Sequence, residues 1–554
     1  MAEFYERFIH ETFDADGRPT ACRYAYGPDF NYGYDVADAL AAAHPDRVAM
    51  RWRDDRGRAR DLTFADLRSL SDRAARLLDG RGLRRGDVLM AALRCHWQYW
   101  IVALAAHKLG LILAPVYHLL SEDDLAYRMQ TAQVRGVVCG RDGDAPARVR
   151  AAADRAGTVA VRLTIDGAAE GFEDFDALLA AQPEGWARVA TACHDPMLLY
   201  FTSGTTGKPK GVLHDFVYPL ANHCGARYMQ DGHDGSVHFA TGDTGWEVVS
   251  GTKFYSQWLC LVTLLVYDCD RFSAEAVLAL LERERATSVM AQPTVYRKLT
   301  DVGLDRYDLS HVTCWAVGGE KLLPDLAETV RAQTGQPLYE GYAQSEAGLI
   351  AALSKVGGLR PGSVGRILPK YHVELLRPDG GFAAPGEEGE IVLVADGGHR
   401  PEGLLIGYLG DEEATRRILD GDLYHTGDLA TRDADGFLYY KGRADGIIKT
   451  KGYRVSPVEV EALLGRHPAV YECLAAGIAD RDLGQRIRAY VHLRAGAVPS
   501  EVLAQELMAW HNVRCTGYRK IRELAFVPVL PRNDNGKLVR GRPIEPDEVY
   551  PYRP

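Results

Sequence analysis

Helical periodicity and short β-rich runs alternate along most of this chain, and no other feature restricts the fold as tightly. Asp66 to Gly80 carries a helical pattern and leads to the strand-like Val88-Leu-Met-Ala-Ala-Leu93. Ala274 to Arg285 pairs in the same way with Ser288-Val-Met290, and Leu322 to Gln333 with Pro337-Leu-Tyr339. Such cycles predict an α/β architecture of layered sheets covered by helices. From Gly362 the texture turns β-rich, with Tyr371-His-Val-Glu-Leu-Leu376 and Glu390-Ile-Val-Leu-Val394 separated by Pro- and Gly-containing turns. Gly442-Arg-Ala-Asp-Gly446 then sets two glycines around an Asp, as a hinge does. The expected fold is a large multi-sheet N-terminal domain over 1–441 that includes a small β subdomain. A hinge over 442–446 joins it to a small, mobile α+β C-terminal domain over 447–554. A length of 554 residues exceeds one hydrophobic core, and a tail of about 110 residues can carry its own.

Hydrophobic residues at 47% and charged residues at 25% fit a soluble multidomain protein. The net charge is −10, and Lys and Arg are scattered without a basic block, which argues against nucleic acid and for a small-molecule partner. The longest apolar run, Trp258 to Tyr267, falls short of the roughly 20 residues a spanning helix needs. The charged N-terminus lacks the apolar stretch of a secretory signal, so a cytoplasmic protein is expected. The ten cysteines form no C-x-x-C pair, which predicts buried reduced thiols and neither a disulfide framework nor a zinc knuckle.

The run Met197-Leu-Leu-Tyr-Phe201 leads into Thr202, Ser203, Gly204, Thr205, Thr206, Gly207, Lys208 and Lys210. Hydroxyls, exposed backbone N–H groups and ammonium groups are the donors a triphosphate requires. A Walker A loop is excluded, because two residues separate Gly204 from Gly207 and Pro209 follows Lys208. A purely structural Gly/Thr turn leaves this density of donors unexplained.

The stretch from Tyr200 to Gly211 resembles the signature of the adenylate-forming superfamily, which holds acyl-CoA synthetases, carrier-loading adenylation domains and luciferases. Further segments follow in the family's order: Gly341-Tyr-Ala-Gln-Ser-Glu346, Tyr424-His-Thr-Gly-Asp428, Gly442 to Glu461, and Pro531-Arg-Asn-Asp-Asn-Gly-Lys537. The resemblance implies that ATP and coenzyme A are substrates and that Mg²⁺ assists. Glu346 would be the metal's ligand, while Ser345, Thr205 and Thr206 donate to phosphate oxygens. Tyr342 would stack on adenine, beside Gly319 and Glu320. Asp428 would accept the ribose hydroxyls, and Arg443 and Arg454 would meet ribose or phosphate oxygens. Lys537 would stabilise the transition state of adenylation. Asp445 would be the pivot of domain rotation, and Gly452 would line the passage of the pantetheine arm.

Gly242-Asp-Thr-Gly-Trp246 and Arg360-Pro-Gly-Ser-Val-Gly365 resemble the acetyl- and medium-chain acyl-CoA synthetase branch in particular. There the acyl pocket corresponds to Trp246, Glu247, Val248, Gly318 and Ala343. Acetate-specific members carry a Trp at the position of Ala343, so a larger acid is implied: medium-sized, aromatic or polycyclic. Glu247 departs from the apolar residue usual there. It either meets an amine or hydroxyl on the substrate or turns to solvent. Gln292 and Lys321 depart as well, each where Pro is common. These departures leave open an enzyme of specialised metabolism, a stand-alone enzyme that loads a carrier protein, or a member running only one half-reaction. A non-catalytic nucleotide sensor has little reason to keep the charged Glu346 and Lys537. A homodimer is compatible with the resemblance.

Overall fold

Val237–Ala240, Ser288–Ala291 and Cys314–Val317 are buried at every position, as parallel strands covered on both faces must be. They form the centre of a nine-stranded sheet, parallel from Val48–Asp54 to Leu338–Gln344, with antiparallel strands added at both edges. A second sheet, of eight strands, centres on the equally buried Val88–Ala92. The computed structural model describes residues 3–553 except 203–207, 321, 396, 451–452, 516, 533–537 and 540–543. One core cluster joins the two sheets: Trp100 and Leu104, on a helix Gln98–Leu109 buried along its whole length, pack with Leu89 and Leu198 of one sheet and Leu264 and Val266 of the other.

The β-rich region expected from Gly362 is a separate five-stranded antiparallel sheet. Its strands Leu423–Arg432 and Leu438–Arg443 carry site residues. The segment expected to hinge at 442–446 begins inside the second of these strands, where Gly442 (φ +124°) pairs with Leu429 and Arg443 with Asp428. Beyond it, Ile448, Val455, Val491 and Leu507 belong to a core made only of tail residues, under a six-stranded sheet and the helices Pro457–Leu464 and Glu501–Asn512. No helix among the described residues is long and apolar enough to cross a membrane.

Candidate active site

Strand Pro196–Thr202 and strand Lys210–Asp215 form an antiparallel pair in which Thr202 faces Lys210. A Walker A loop feeds a helix; this connection feeds a strand, in keeping with the exclusion made from spacing. Ser203, Gly204, Thr205, Thr206 and Gly207 lie outside the described residues, as do Lys321, Gly452, Lys537 and the side chain of Arg454. The loop's two cations rest on aromatic faces, Lys208 5.1 Å above the Tyr127 ring and Lys210 5.0 Å above Tyr408. Tyr200 belongs to the core instead, with its hydroxyl bonded to Ser250.

Gln344 and Gly348 face each other across a hairpin whose turn is Ser345, Glu346 and Ala347. Tyr408 donates to Glu346 Oε1 at 2.8 Å, so one ring holds both the Lys210 ammonium and the carboxylate. His214, on the strand leaving the phosphate loop, donates its Nε2–H to the Ser345 carbonyl at 2.8 Å. Burial pushes this imidazole down to about 3, so it is neutral at physiological pH. Loop and turn are thereby fixed to one another. A half-buried carboxylate oriented by Tyr408 is a hard oxygen donor of the kind Mg²⁺ takes.

Three strands converge on Asp428. Its Oδ2 accepts from the Tyr342 hydroxyl at 2.7 Å and Gln344 Nε2 at 2.5 Å, and its Oδ1 from the Tyr440 hydroxyl at 3.0 Å. Burial raises the carboxyl above its ordinary range, against the pull of Arg443 and the three donors. Arg443 Nη1 lies 4.0 Å from Oδ1 and donates to the Thr426 carbonyl at 2.8 Å. Tyr342, expected as an adenine platform, is buried and tilts against Tyr440 with ring centroids 5.7 Å apart. The adenine and ribose segments therefore form one hydrogen-bonded network. A ribose that takes both oxygens of Asp428 exchanges its own hydroxyls for these donors.

The residues expected around the acyl group also converge. A Cβ on Gly319 (φ +87°) would lie 2.8 Å from the Trp246 ring, and one on Gly318 would lie 3.0 Å from Met290 Cε. Val248 and Leu349 pack on a cluster of Cys224, Tyr228, Met229, Met290, Ala316 and Leu368. Ala343 is exposed and in register with Leu349. Gln292 accepts from Thr241 at 2.7 Å. Glu320 is held at 3.2 Å by Arg532, which also pairs with Glu472. The residue immediately before 533–537 thus touches the Gly319-Glu320 segment.

Glu247 does not turn to solvent. It is 6% exposed and accepts from the Tyr218 hydroxyl. Burial raises its pKa from 4.5 to about 7, with Tyr218 and Lys370 pulling the other way and Glu346 adding to the rise. Lys370, whose own ammonium burial pulls down to about 8, donates to the Ala347 carbonyl at 3.0 Å. Since the folded value of Glu247 lies above the unfolded one, its contribution to stability is full below pH 4.5 and is lost as pH rises through about 7. The span corresponds to about 3 kcal/mol. Glu247→Gln is expected to remove that loss, which denaturant titrations at pH 5 and pH 8 read directly. Equal pH dependence in the two proteins would contradict a buried, proton-holding Glu247.

Residues 37–400 match the AMP-binding enzyme family, and residues 459–537 match the AMP-binding enzyme C-terminal domain. The chain belongs to this family. Human mitochondrial acyl-coenzyme A synthetase ACSM5 is 34% identical over 93% of this chain and 90% of its own length. Rat mitochondrial acyl-coenzyme A synthetase ACSM4 is 32% identical over 96% and 92%. The anthranilate CoA ligase AuaEII, solved with anthranoyl-AMP, superposes with a TM-score of 0.84 at 23% identity, covering 93% of this chain and 96% of that one. A benzoate CoA ligase from Burkholderia xenovorans LB400 gives 0.79 at 24%, covering 92% and 98%. The chain is an AMP-forming acyl-CoA synthetase, an acid–thiol ligase that uses ATP, as its motifs imply.

Sequence reasoning about this synthetase missed the partners that hold the named residues. Gln344 sits inside a quoted motif and is a strand neighbour of Tyr342 two residues on, so period-two geometry already puts both on one face. Tyr440 and Tyr408 left no such trace, because they reach Asp428 and Glu346 from other strands.

Proposed function

We propose that this acyl-CoA synthetase activates a medium-sized, aromatic or polycyclic carboxylic acid in specialised metabolism, running both half-reactions in the cytoplasm. The observation that carries the reading is the small, exposed Ala343, opposite Leu349 at the rim of the apolar cluster. The relatives of this fold that act on anthranilate and benzoate support an aromatic acid. Glu247 is engaged by Tyr218, which supports an acid without an amine to pair with it.

In the first step a carboxylate oxygen attacks the α-phosphorus of ATP, the bond to the β-phosphate oxygen breaks, and pyrophosphate leaves. In the second a thiol sulfur attacks the acyl carbon, its proton passes to solvent, and AMP departs with the bridging oxygen. Ser203 to Gly207, Lys208, Lys210 and Ser345 bind the phosphates; Tyr342, Gly319, Glu320, Asp428, Arg443 and Arg454 bind the nucleoside end. Mg²⁺ held by Glu346 would neutralise phosphate charge. The hinge over 442–446, with Asp445 as pivot, turns the tail between the steps, and Gly452 lines the thiol's path. Arg443 Nε lies 3.5 Å from Asp445 Oδ1 within that hinge.

Thioester formation across acetate, hexanoate, benzoate and a fused-ring acid tests the substrate class. Acetate is expected to be the poorest. Ala343→Trp is expected to shift kcat/KM from the larger acids towards acetate by about tenfold or more, as one bulky group in an apolar pocket does. An unchanged preference contradicts the pocket assignment. Turnover with a phosphopantetheinyl carrier but not with CoA would favour the carrier-loading reading instead.

A further inference from the structure

Cys22 and Cys224 are far apart in sequence, yet the fold sets their sulfurs 4.0 Å from each other. His223 Nε2 lies 3.9 Å from Cys22 Sγ and 3.7 Å from Cys224 Sγ. Glu11 Oε1 lies 3.1 Å from His223 Nε2 and 3.9 Å from Cys22 Sγ. The three separations among Cys22, His223 and Cys224 are within a few tenths of an ångström of those around a tetrahedral zinc, where bonds of about 2.0–2.3 Å put ligand atoms roughly 3.3–3.8 Å apart.

We propose that Cys22, His223 and Cys224 form a structural site for zinc, with the Glu11 carboxylate beside it. The shell around them is built as such a site requires. His223 Nδ1 is 3.2 Å from the Leu220 carbonyl, and a proton placed there leaves Nε2 available as a ligand; Cys224 Sγ lies 3.7 Å from each ring nitrogen. Arg227 Nε meets the other oxygen of Glu11, Oε2, at 3.2 Å, and Tyr228 donates to Oε1. Two thiolates balance the charge of Zn²⁺, and Arg227 balances the neighbouring Glu11 carboxylate. His223 and Cys224 are fully buried, and the Glu11 side chain is 3% exposed. Tyr5 stacks on the imidazole at 6.0 Å and Tyr24 meets it edge-on at 6.2 Å, which fixes the ring. Binding releases the two thiol protons to solvent.

The site has a structural purpose. It ties the N-terminal hairpin Ile9–Phe13 and Pro19–Tyr24 to the segment Gly225–Met229, which supplies Tyr228 and Met229 to the acyl cluster. A metal here braces one wall of the pocket without touching the reacting atoms.

Elemental analysis of the full-length protein purified without chelator or affinity metal is expected to give about one zinc per chain. After chelation and reloading, Co²⁺ is expected to show the visible bands of a tetrahedral site and a thiolate-to-cobalt charge-transfer band. Cys22→Ser and Cys224→Ser should each weaken zinc binding at least about tenfold, whereas Cys515→Ser should leave it unchanged. Wild-type protein that holds neither zinc nor Co²⁺, or that carries Cys22 and Cys224 as a disulfide, would overturn the proposal. That measurement needs no variant to fold.

Discussion

Replacing Lys537 with alanine is expected to slow acid-dependent ATP–pyrophosphate exchange by about 10²- to 10³-fold, the loss seen when one well-aimed donor to a developing charge is removed. Lys537 lies outside the described residues, between Arg532 and Leu538, which are described. Arg532 and Leu538 are bridged to each other, and Arg532 reaches Glu320 in the nucleotide segment and Glu472 in the tail. Arg532, the described residue ahead of that segment, is thereby held against the Gly319-Glu320 segment. The thermal transition is expected to stay where it is, and so is the second half-reaction started from preformed acyl-adenylate. Unchanged exchange would remove Lys537 from the adenylation step.

Asp428→Ala should be nearly as damaging for a different reason. The carboxylate is 4% exposed and is the common acceptor for Tyr342, Gln344 and Tyr440. Removing it takes one acceptor from each of three donors, at a cost of about 1–3 kcal/mol wherever a donor is left buried and unsatisfied. Both a fall in the melting midpoint and a rise of about 100-fold or more in the KM for ATP are expected, from the loss of charged hydrogen bonds to the ribose. Asp428→Asn keeps the shape but turns an amide donor towards donors, so it should recover stability only in part. A variant with unaltered ATP kinetics would show that the ribose is held elsewhere.

Much of this fold was legible because its cues are local. The helix read from Asp66 runs from Phe64 to Gly80, and its start is sealed by reciprocal bonds between Thr63 and Asp66, a pattern visible in the residues. The strand read as Pro337 to Tyr339 instead spans Leu338–Gln344. Its second half, Gly341-Tyr-Ala-Gln, has weak β-character, and pairing with Gly348–Ala352 holds it extended. The site's residue types were legible through ordered motifs, but their partners were not. Asp428 finds Tyr440 on the neighbouring strand of its sheet, and Cys22 finds Cys224 from 202 residues away, a pairing with no spacing to read. Glu247 stood out as a carboxylate at an apolar position, but its partner did not, since the pairing depends on Tyr218 arriving from a separate helix.

The central claim is that ATP is consumed by attack of the acid's own oxygen on the α-phosphorus. Turnover of benzoate doubly labelled with ¹⁸O, followed by mass analysis of the nucleotide product, tests it most directly. The account predicts one ¹⁸O in AMP, one retained in the acyl thioester, and none in pyrophosphate. Label in inorganic phosphate, with ADP as the nucleotide product, would contradict it.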